Sequence, residues 1–163
     1  MSQGDGPRIA SSQTAIGLVL LVALGCASHP TAEGKAMPPL APCPNKPNCV
    51  SSLAPDDDHR VAPYAISGGA KGWAAVRDAV AAMPRTAIVE ERPNYVHAEC
   101  RSRIFRFVDD LEVERNAAGD RVDVRSASRL GYGDMGVNRA RVESLREALA
   151  AAGALASGQS TAR

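Results

Sequence analysis

Residues 86–129 restrict the fold of this chain more than any other segment, because they contain a series of strand patterns separated only by short turns. Pro93 and Asn94 form one turn, and residues 116–120 form another. Parallel neighbours need a long crossover connection, whereas antiparallel neighbours can be joined by a few residues. The segment therefore predicts an antiparallel sheet with strands at residues 86–90, 95–101, 104–114 and 121–129.

Two segments outside this series have the spacing of amphipathic helices. In residues 73–83, apolar side chains recur every three or four positions until Pro84 ends the pattern. Residues 137–152 place Val142, Leu145 and Leu149 on one helical face. Hydrophobic residues make up 45% of the chain but aromatic residues only 4%, so we expect a core of Val, Leu, Ile and Ala. The predicted class is α+β, a two-layer sandwich of an antiparallel sheet with an N-terminal and a C-terminal helix packed on it.

The N-terminal segment has the features of an export signal. Residues 16–24 are uniformly apolar and follow Arg8, but they are too few to span a bilayer, which takes about 20 residues. Cys26 directly follows Gly25, as in the bacterial lipoprotein signal, whereas an ordinary secretory signal or a short anchor would make this cysteine incidental. We predict a signal peptide (1–26) with a lipid on Cys26, a linker (27–41), an α+β domain (42–150) and a disordered tail (151–163). The lipid would hold the protein to a membrane on its extracytoplasmic face.

The remaining cysteines fit an oxidising compartment. Cys43 and Cys49 lie in a short loop stiffened by Pro44 and Pro47, which favours a disulfide in the cell envelope. The alternative is a metal site, but two cysteines without further ligands make only half of a zinc site. Cys100 is left over, and we expect it to be a buried thiol.

The charge pattern gives no reason to expect nucleic acid as a partner. Nineteen basic and eighteen acidic residues leave a net charge of +1, and no basic block is present. No dinucleotide or phosphate-loop fingerprint occurs, and we predict no cofactor.

Asp109 is the first candidate functional residue, because it lies in line with apolar side chains of the predicted strand 104–114, among them Phe105 and Phe107. A carboxylate is costly to bury without a partner. Either Asp109 points into a pocket or pairs with a buried arginine, or a β-bulge or a structural ion pair accounts for it.

The segment 125–141 is the second candidate, since it combines four arginines with three glycines ahead of a helix. Arginines beside helix N-terminal amides can bind a carboxylate or a phosphate. Alternatively, Asp134 or Asn138 caps the helix, and the arginines pair with Asp109, Asp110 and Glu112.

Histidines provide the third candidate. Asp58 and His59 end an acidic run, while His97 and Glu99 share one side of a strand, where they could bind a metal or act as acid and base. No third metal ligand is identifiable from spacing, so we predict no metal site and no catalytic residue.

Several motifs together resemble the bacterial domain-of-unknown-function 1499 family. They are Pro42-Cys-Pro, Pro47-Asn-Cys-Val-Ser-Ser52, Asp58-His59, Ala98-Glu99 with Ser102, Phe107-Val-Asp-Asp110 and the run from Arg125 to Arg139. The likeness covers about residues 42–149 and departs from the family at Cys100, where a larger apolar residue is expected. It implies an envelope protein, without a known reaction or cofactor.

The resemblance also suggests which residues belong together. We expect a single polar cleft for binding, formed by Asp58, His59, Glu99, Asp109, Asp110, Arg125, Arg129, Tyr132, Asp134, Asn138 and Arg139, with Ser51 and Ser52 nearby. The leading hypothesis is a non-catalytic binding module for a small anion or an envelope protein. The alternatives are an envelope hydrolase or metal-dependent enzyme that uses the His/Asp cluster, and a purely structural envelope protein.

Overall fold

The predicted strands form one antiparallel sheet in a computed structural model, which describes residues 40–158. The strands are β1 (Cys49–Ser51), β2 (Tyr64–Ala65), β3 (Thr86–Arg92), β4 (Tyr95–Arg101), β5 (Val108–Arg115) and β6 (Arg121–Ser128). Their order is β1-β6-β5-β4-β3, and β2 also pairs with β6. The two helices are α1 (Ala70–Ala82) and α2 (Val137–Ala151). The predicted α+β class and its antiparallel sheet are confirmed.

One hydrophobic core joins the two helices to alternate side chains of β4, β5 and β6. Its side chains are aliphatic apart from Cys100 and Tyr64, and the Tyr64 hydroxyl donates to the carbonyl of Val142 at 2.9 Å. Burying aliphatic side chains removes apolar area from water, at about 25 cal/mol per Å². The fully buried members from the helices and these strands are Val76, Val80, Val142, Leu145, Leu149, Val96, Ala98, Leu111, Val113, Val122 and Val124.

The side chains that alternate with the core residues are mostly polar, so the sheet has one apolar face and one polar face. In β5, Asp109, Leu111 and Val113 are buried, whereas Asp110 and Glu112 are only half-buried. This alternation decides which candidate residues can meet.

The segment before β5 differs from the prediction. The strand begins at Val108, and residues 102–107 form a loop, closed by a hydrogen bond from the Ser102 amide to the Phe107 carbonyl at 2.9 Å. The Ser102 hydroxyl also accepts from the Phe107 amide at 2.9 Å. These local bonds replace ladder bonds, so Phe105 and Phe107 do not line the core beside Asp109.

Backbone chemistry explains where α1 lies. Position 72, which is buried in the helix, requires glycine because a Cβ atom there would lie 2.0 Å from the Ser67 carbonyl oxygen. The helix ends before Pro84, and Met83 has the extended conformation that a residue preceding proline favours. The observed helix begins three residues earlier than the predicted pattern at 73–83.

The domain extends beyond its predicted limits at both ends. Leu40, predicted as linker, is buried. Ala154, predicted as disordered tail, is also buried, and its carbonyl accepts from the Ser67 amide at 2.9 Å. The tail prediction is therefore wrong for these residues, because the chain after α2 pairs with the chain before α1 through a bridge between Ile66 and Leu155. The predicted signal peptide with Cys26, most of the linker and residues 159–163 lie outside the described residues.

The helices of the described part of the chain are short. Within residues 40–158, no helix has the length and apolar character to cross a membrane.

Candidate functional site

The predicted site residues lie in three separate places, so the expectation of a single polar cleft is wrong. Asp109 belongs to the buried face of β5, whereas Arg129 pairs with Asp110 on the opposite face. Neighbouring residues in a strand point to opposite sides of the sheet, which prevents these two sets from sharing one cleft. The third set lies in the loops around the disulfide.

The first place is the polar face of the sheet, where charged side chains of β4, β5 and β6 form an ion-paired network. Arg129 donates to Asp110 at 2.7 Å and to Glu99 at 2.8 Å. His97 is 2.7 Å from Asp110, and Arg125 is 2.6 Å from Glu112. These cross-strand pairs confirm that Arg125 and Arg129 are matched with acids on the neighbouring strand.

The electrostatics of Asp110 follow from this network. Burial by itself would raise the pKa of its carboxyl group, but hydrogen bonds from Arg129 and His97 outweigh that effect and leave the pKa lowered. Conversely, hydrogen bonds to Asp110 and Glu99 raise the pKa of Arg129. Both shifts favour the ionised forms of Asp110 and Arg129, whose charges compensate each other.

The second place is a buried polar network at the N-terminus of α2. Asn138 is fully buried, and its side-chain oxygen accepts from Ser126 at 2.7 Å and from Arg141 at 2.6 Å. Arg141 in turn donates to Asp109 at 2.6 Å. The residue at the N-cap position of α2 is Gly136, and the Asp134 carboxylate, two residues before it, accepts from the Asn138 amide of the first turn at 2.8 Å. This network locks β5, β6 and α2 together.

The third place surrounds the disulfide between Cys43 and Cys49, which is confirmed with an S–S distance of 2.03 Å. His59 lies 2.6 Å from Asp56 and 3.0 Å from the Lys46 carbonyl oxygen, and these two contacts tie the loops together. Cys100 is a buried free thiol, as predicted, and burial raises its pKa.

Arg139 lines a cleft of about 450 Å³ in these loops. Its guanidinium donates to the carbonyl oxygens of Asp58 at 2.7 Å and Arg60 at 2.8 Å. Tyr132, another predicted residue in this cleft, is 72% exposed. Of the predicted binding residues, the cleft thus collects Asp58, His59, Tyr132, Asp134 and Arg139.

The arginines of the segment 125–141 already have internal partners. Arg125, Arg129 and Arg141 pair with carboxylates, and Arg139 donates to backbone carbonyls. An anion would have to displace these partners, so the geometry gives little support to the predicted anion site. His97 and Glu99 are likewise engaged by Asp110 and Arg129, and residues 40–158 contain no group of three potential metal ligands among His, Cys, Asp and Glu.

Sequence reasoning missed an exposed cluster of apolar side chains, which we call the two-loop surface. It joins loop 102–107 to the segment between β6 and α2, and a groove of about 410 Å³ lies between them. The exposed fractions are 79% for Ile104, 74% for Phe105, 67% for Leu130 and 101% for Met135. The two-loop surface is formed by Ile104, Phe105, Phe107, Leu130, Met135 and Val137.

The local geometry holds these side chains outward. The rings of Phe105 and Phe107 stack with centroids 5.5 Å apart. Arg106 and Met135 have φ values of 55° and 54°, a left-handed conformation that residues other than glycine rarely adopt. Phe105 and Phe107 continue the period-two spacing of Leu111 and Val113, which is why the sequence pattern predicted a strand here. The usable signal was Ser102, whose side chain closes the loop.

Comparison with known proteins supports the resemblance seen in the sequence motifs. A search of curated protein sequences found no match to the chain. A family model, described as a protein of unknown function (DUF1499), matches residues 39–149, which include all six strands and both helices except the last residues of α2. The chain therefore belongs to the DUF1499 family.

Proposed function

We propose that this protein is a non-catalytic binding module of the bacterial cell envelope, exported and held to a membrane by a lipid on Cys26. Its binding surface in this proposal is the two-loop surface, and the ion-paired polar face has a structural role. The N-terminal sequence supports export, and the apolar loops support binding.

The exposure of the two-loop surface is the observation that carries this proposal. Met135 is fully exposed, and Ile104 and Phe105 expose about three quarters of their area. A contiguous apolar patch on a soluble domain costs hydration free energy and is typical of an interaction site. Both loops lie at the same end of the sheet, because Val108 in β5 pairs with Arg101, and Asp109 pairs with Ser128 at the end of β6.

The alternative of a small-anion site has less support, because the candidate arginines are bound internally. By contrast, the apolar side chains of the two-loop surface have no internal ion pairs that a partner would have to displace. A partner that covers apolar groups would gain burial without breaking an ion pair.

Export and lipid attachment are tested in bacteria that express the full chain. We expect metabolic incorporation of a labelled fatty acid into the wild-type protein and recovery of the protein with membranes. The Cys26→Ser variant should lose the label, whereas Cys100→Ser, which removes another thiol, should keep it. Equal labelling of all three proteins, or of none, would contradict lipid attachment at Cys26.

The binding surface is tested by placing a photoactivatable amino acid at position 105 of the full chain in cells. We expect a specific adduct when it replaces Phe105 and none when it replaces Val89, an apolar residue that is 51% exposed on β3. The absence of any adduct at position 105 would contradict the proposed binding surface.

A further inference from the structure

We propose that the two-loop surface docks on an anionic phospholipid bilayer. This inference rests on the proposed function and specifies its partner. It follows from the shape of the two loops, the charges beside them and the position of the rest of the fold.

The two loops expose apolar side chains on both sides of the groove between them. Residues 102–107 and 130–135 leave the sheet at the same end, and the stacked rings of Phe105 and Phe107 lie beside Ile104. Aromatic and aliphatic side chains on loops can enter the boundary between lipid headgroups and acyl chains, since their burial there resembles partitioning into an apolar phase.

The charges on loop 102–107 are positive and unpaired. Arg103 and Arg106 flank Ile104 and Phe105, and neither arginine side chain forms a hydrogen bond or an ion pair with residues 40–158. The acids nearby are already engaged, because Glu99 binds Arg101 and Arg129, and the Asp134 carboxylate accepts from backbone amides. Free guanidinium groups beside apolar tips are complementary to a surface of anionic headgroups over hydrocarbon.

This pattern favours a bilayer over a protein partner. An arginine on a long stem can bury its methylene groups and keep its charge among phosphates, so it needs no matching acid at a fixed place. The proposed lipid on Cys26 would also keep the domain close to a bilayer. Residues 27–41 span at most about 50 Å when extended at roughly 3.3–3.6 Å per residue, so docking would be intramolecular on the membrane.

The first experiment measures contact with lipid directly in the full chain. The natural protein has one tryptophan, Trp73, which lies in α1 and contacts Arg115 at the other end of β5. A Phe105→Trp variant in vesicles with brominated acyl chains reports whether position 105 enters the bilayer, and the wild type supplies the background from Trp73. The lipid proposed on Cys26 would attach every variant to the vesicle in the same way.

We expect strong quenching of the tryptophan introduced at position 105 in phosphatidylglycerol vesicles, weak quenching in phosphatidylcholine vesicles and little quenching of Trp73. Adding Arg103→Gln should reduce the equilibrium constant for docking about fivefold, which is the effect of one basic charge near an anionic surface, and quenching should fall accordingly. The matched control is Lys71→Gln, which removes a charge from the exposed start of α1 and should leave quenching unchanged. Absence of quenching at position 105, or equal quenching in both lipids, would overturn the inference.

The second experiment separates this inference from the proposed function. The photoactivatable residue at position 105 is placed in the full chain in cells, and the adduct is identified by mass spectrometry. A phospholipid adduct supports the inference. A protein adduct overturns membrane docking and leaves the binding module intact, whereas the absence of an adduct overturns both.

Discussion

Arg141 in α2 donates from Nη2 to Oδ2 of Asp109 in β5 across 2.6 Å, with only 10% and 8% of the two side chains exposed. Removing one partner of a buried pair leaves a buried charge without compensation. We expect Asp109→Ala to lower the free energy of unfolding by about 3–5 kcal/mol in urea titrations.

A double-mutant cycle separates this pair from simple loss of packing. Arg141→Ala alone should also be costly, but the double variant should cost clearly less than the sum of the two single variants. Asp78→Ala breaks an exposed pair with Arg77 and is the matched control, for which we expect little change. Strict additivity in the cycle would contradict the pairing.

Asn138 supplies the second prediction, because it connects β6 to α2 while fully buried. Asn138→Ala removes the acceptor of the buried Ser126 hydroxyl and one bond each from Arg141 and the Asn48 carbonyl, which keep other partners. An unsatisfied buried group costs about 1–3 kcal/mol. We expect a loss of about 2 kcal/mol or more in the free energy of unfolding, with the fold retained by circular dichroism.

The exposed Asn45 is the control for this substitution. Asn45→Ala should change the stability by less than about 0.5 kcal/mol, as surface substitutions usually do. Similar effects of the two alanine variants would show that the Asn138 network does not stabilise the fold.

The disulfide between Cys43 and Cys49 gives the third prediction. The bridge closes a loop with a sequence separation of 6, so loop-closure entropy predicts a stabilisation of about 2 kcal/mol. Both the Cys43→Ser/Cys49→Ser variant and the reduced wild type should show this loss in thermal or urea unfolding. The reductant should have no effect on the variant, and an unchanged wild type after reduction would contradict the prediction.

His59 gives the fourth prediction. Its contacts with the Lys46 carbonyl and the Asp56 carboxylate favour the protonated ring and raise the pKa of His59 above its ordinary value of 6.5. The contribution of protonated His59 to folding stability is therefore fully present below about pH 6.5 and is lost as the pH rises through the His59 pKa in the folded state. NMR titration of the His59 ring should give a midpoint above 6.5.

Asp56→Asn tests the cause of this shift. Removal of the carboxylate charge should move the His59 midpoint towards 6.5 without unfolding the domain, because Asp56 is exposed. A wild-type midpoint at or below 6.5 would show that the two contacts do not hold the ring protonated in solution.

The buried pairing of Asp109 shows what strand alternation can predict from the sequence and what it cannot. Alternation in the strand placed Asp109 in line with core residues and left open whether it pairs with a buried arginine or a β-bulge turns it outward, and the structure shows the buried pair. The partner is Arg141, which lies 32 residues away in α2. Several arginines in the segment 125–141 could have filled this role, and only helix packing selects one.

The same limit explains the errors at residues 102–107. Phe105 and Phe107 have the period-two spacing of a strand and are in phase with Leu111 and Val113, so local sequence predicted an extension of β5. Whether such a segment joins the sheet depends on whether its backbone groups bond to a neighbouring strand. Here the Phe107 amide donates to the Ser102 hydroxyl, and the Phe107 carbonyl accepts from the Ser102 amide. The strands β1 and β2 were missed for a related reason, because three and two residues are too few to show alternation.

The amino-acid sequence by itself determined the α+β class, the antiparallel strand series, the two helices, the disulfide and the family, because these depend on periodicity, turns and spacing along the chain. Only the tertiary structure decided which charges pair, which predicted site residues lie apart, and which apolar side chains stay exposed. Those outcomes depend on contacts between residues such as Asp109 and Arg141, or loop 102–107 and Met135, that are distant in sequence and meet only when the sheet and α2 pack together.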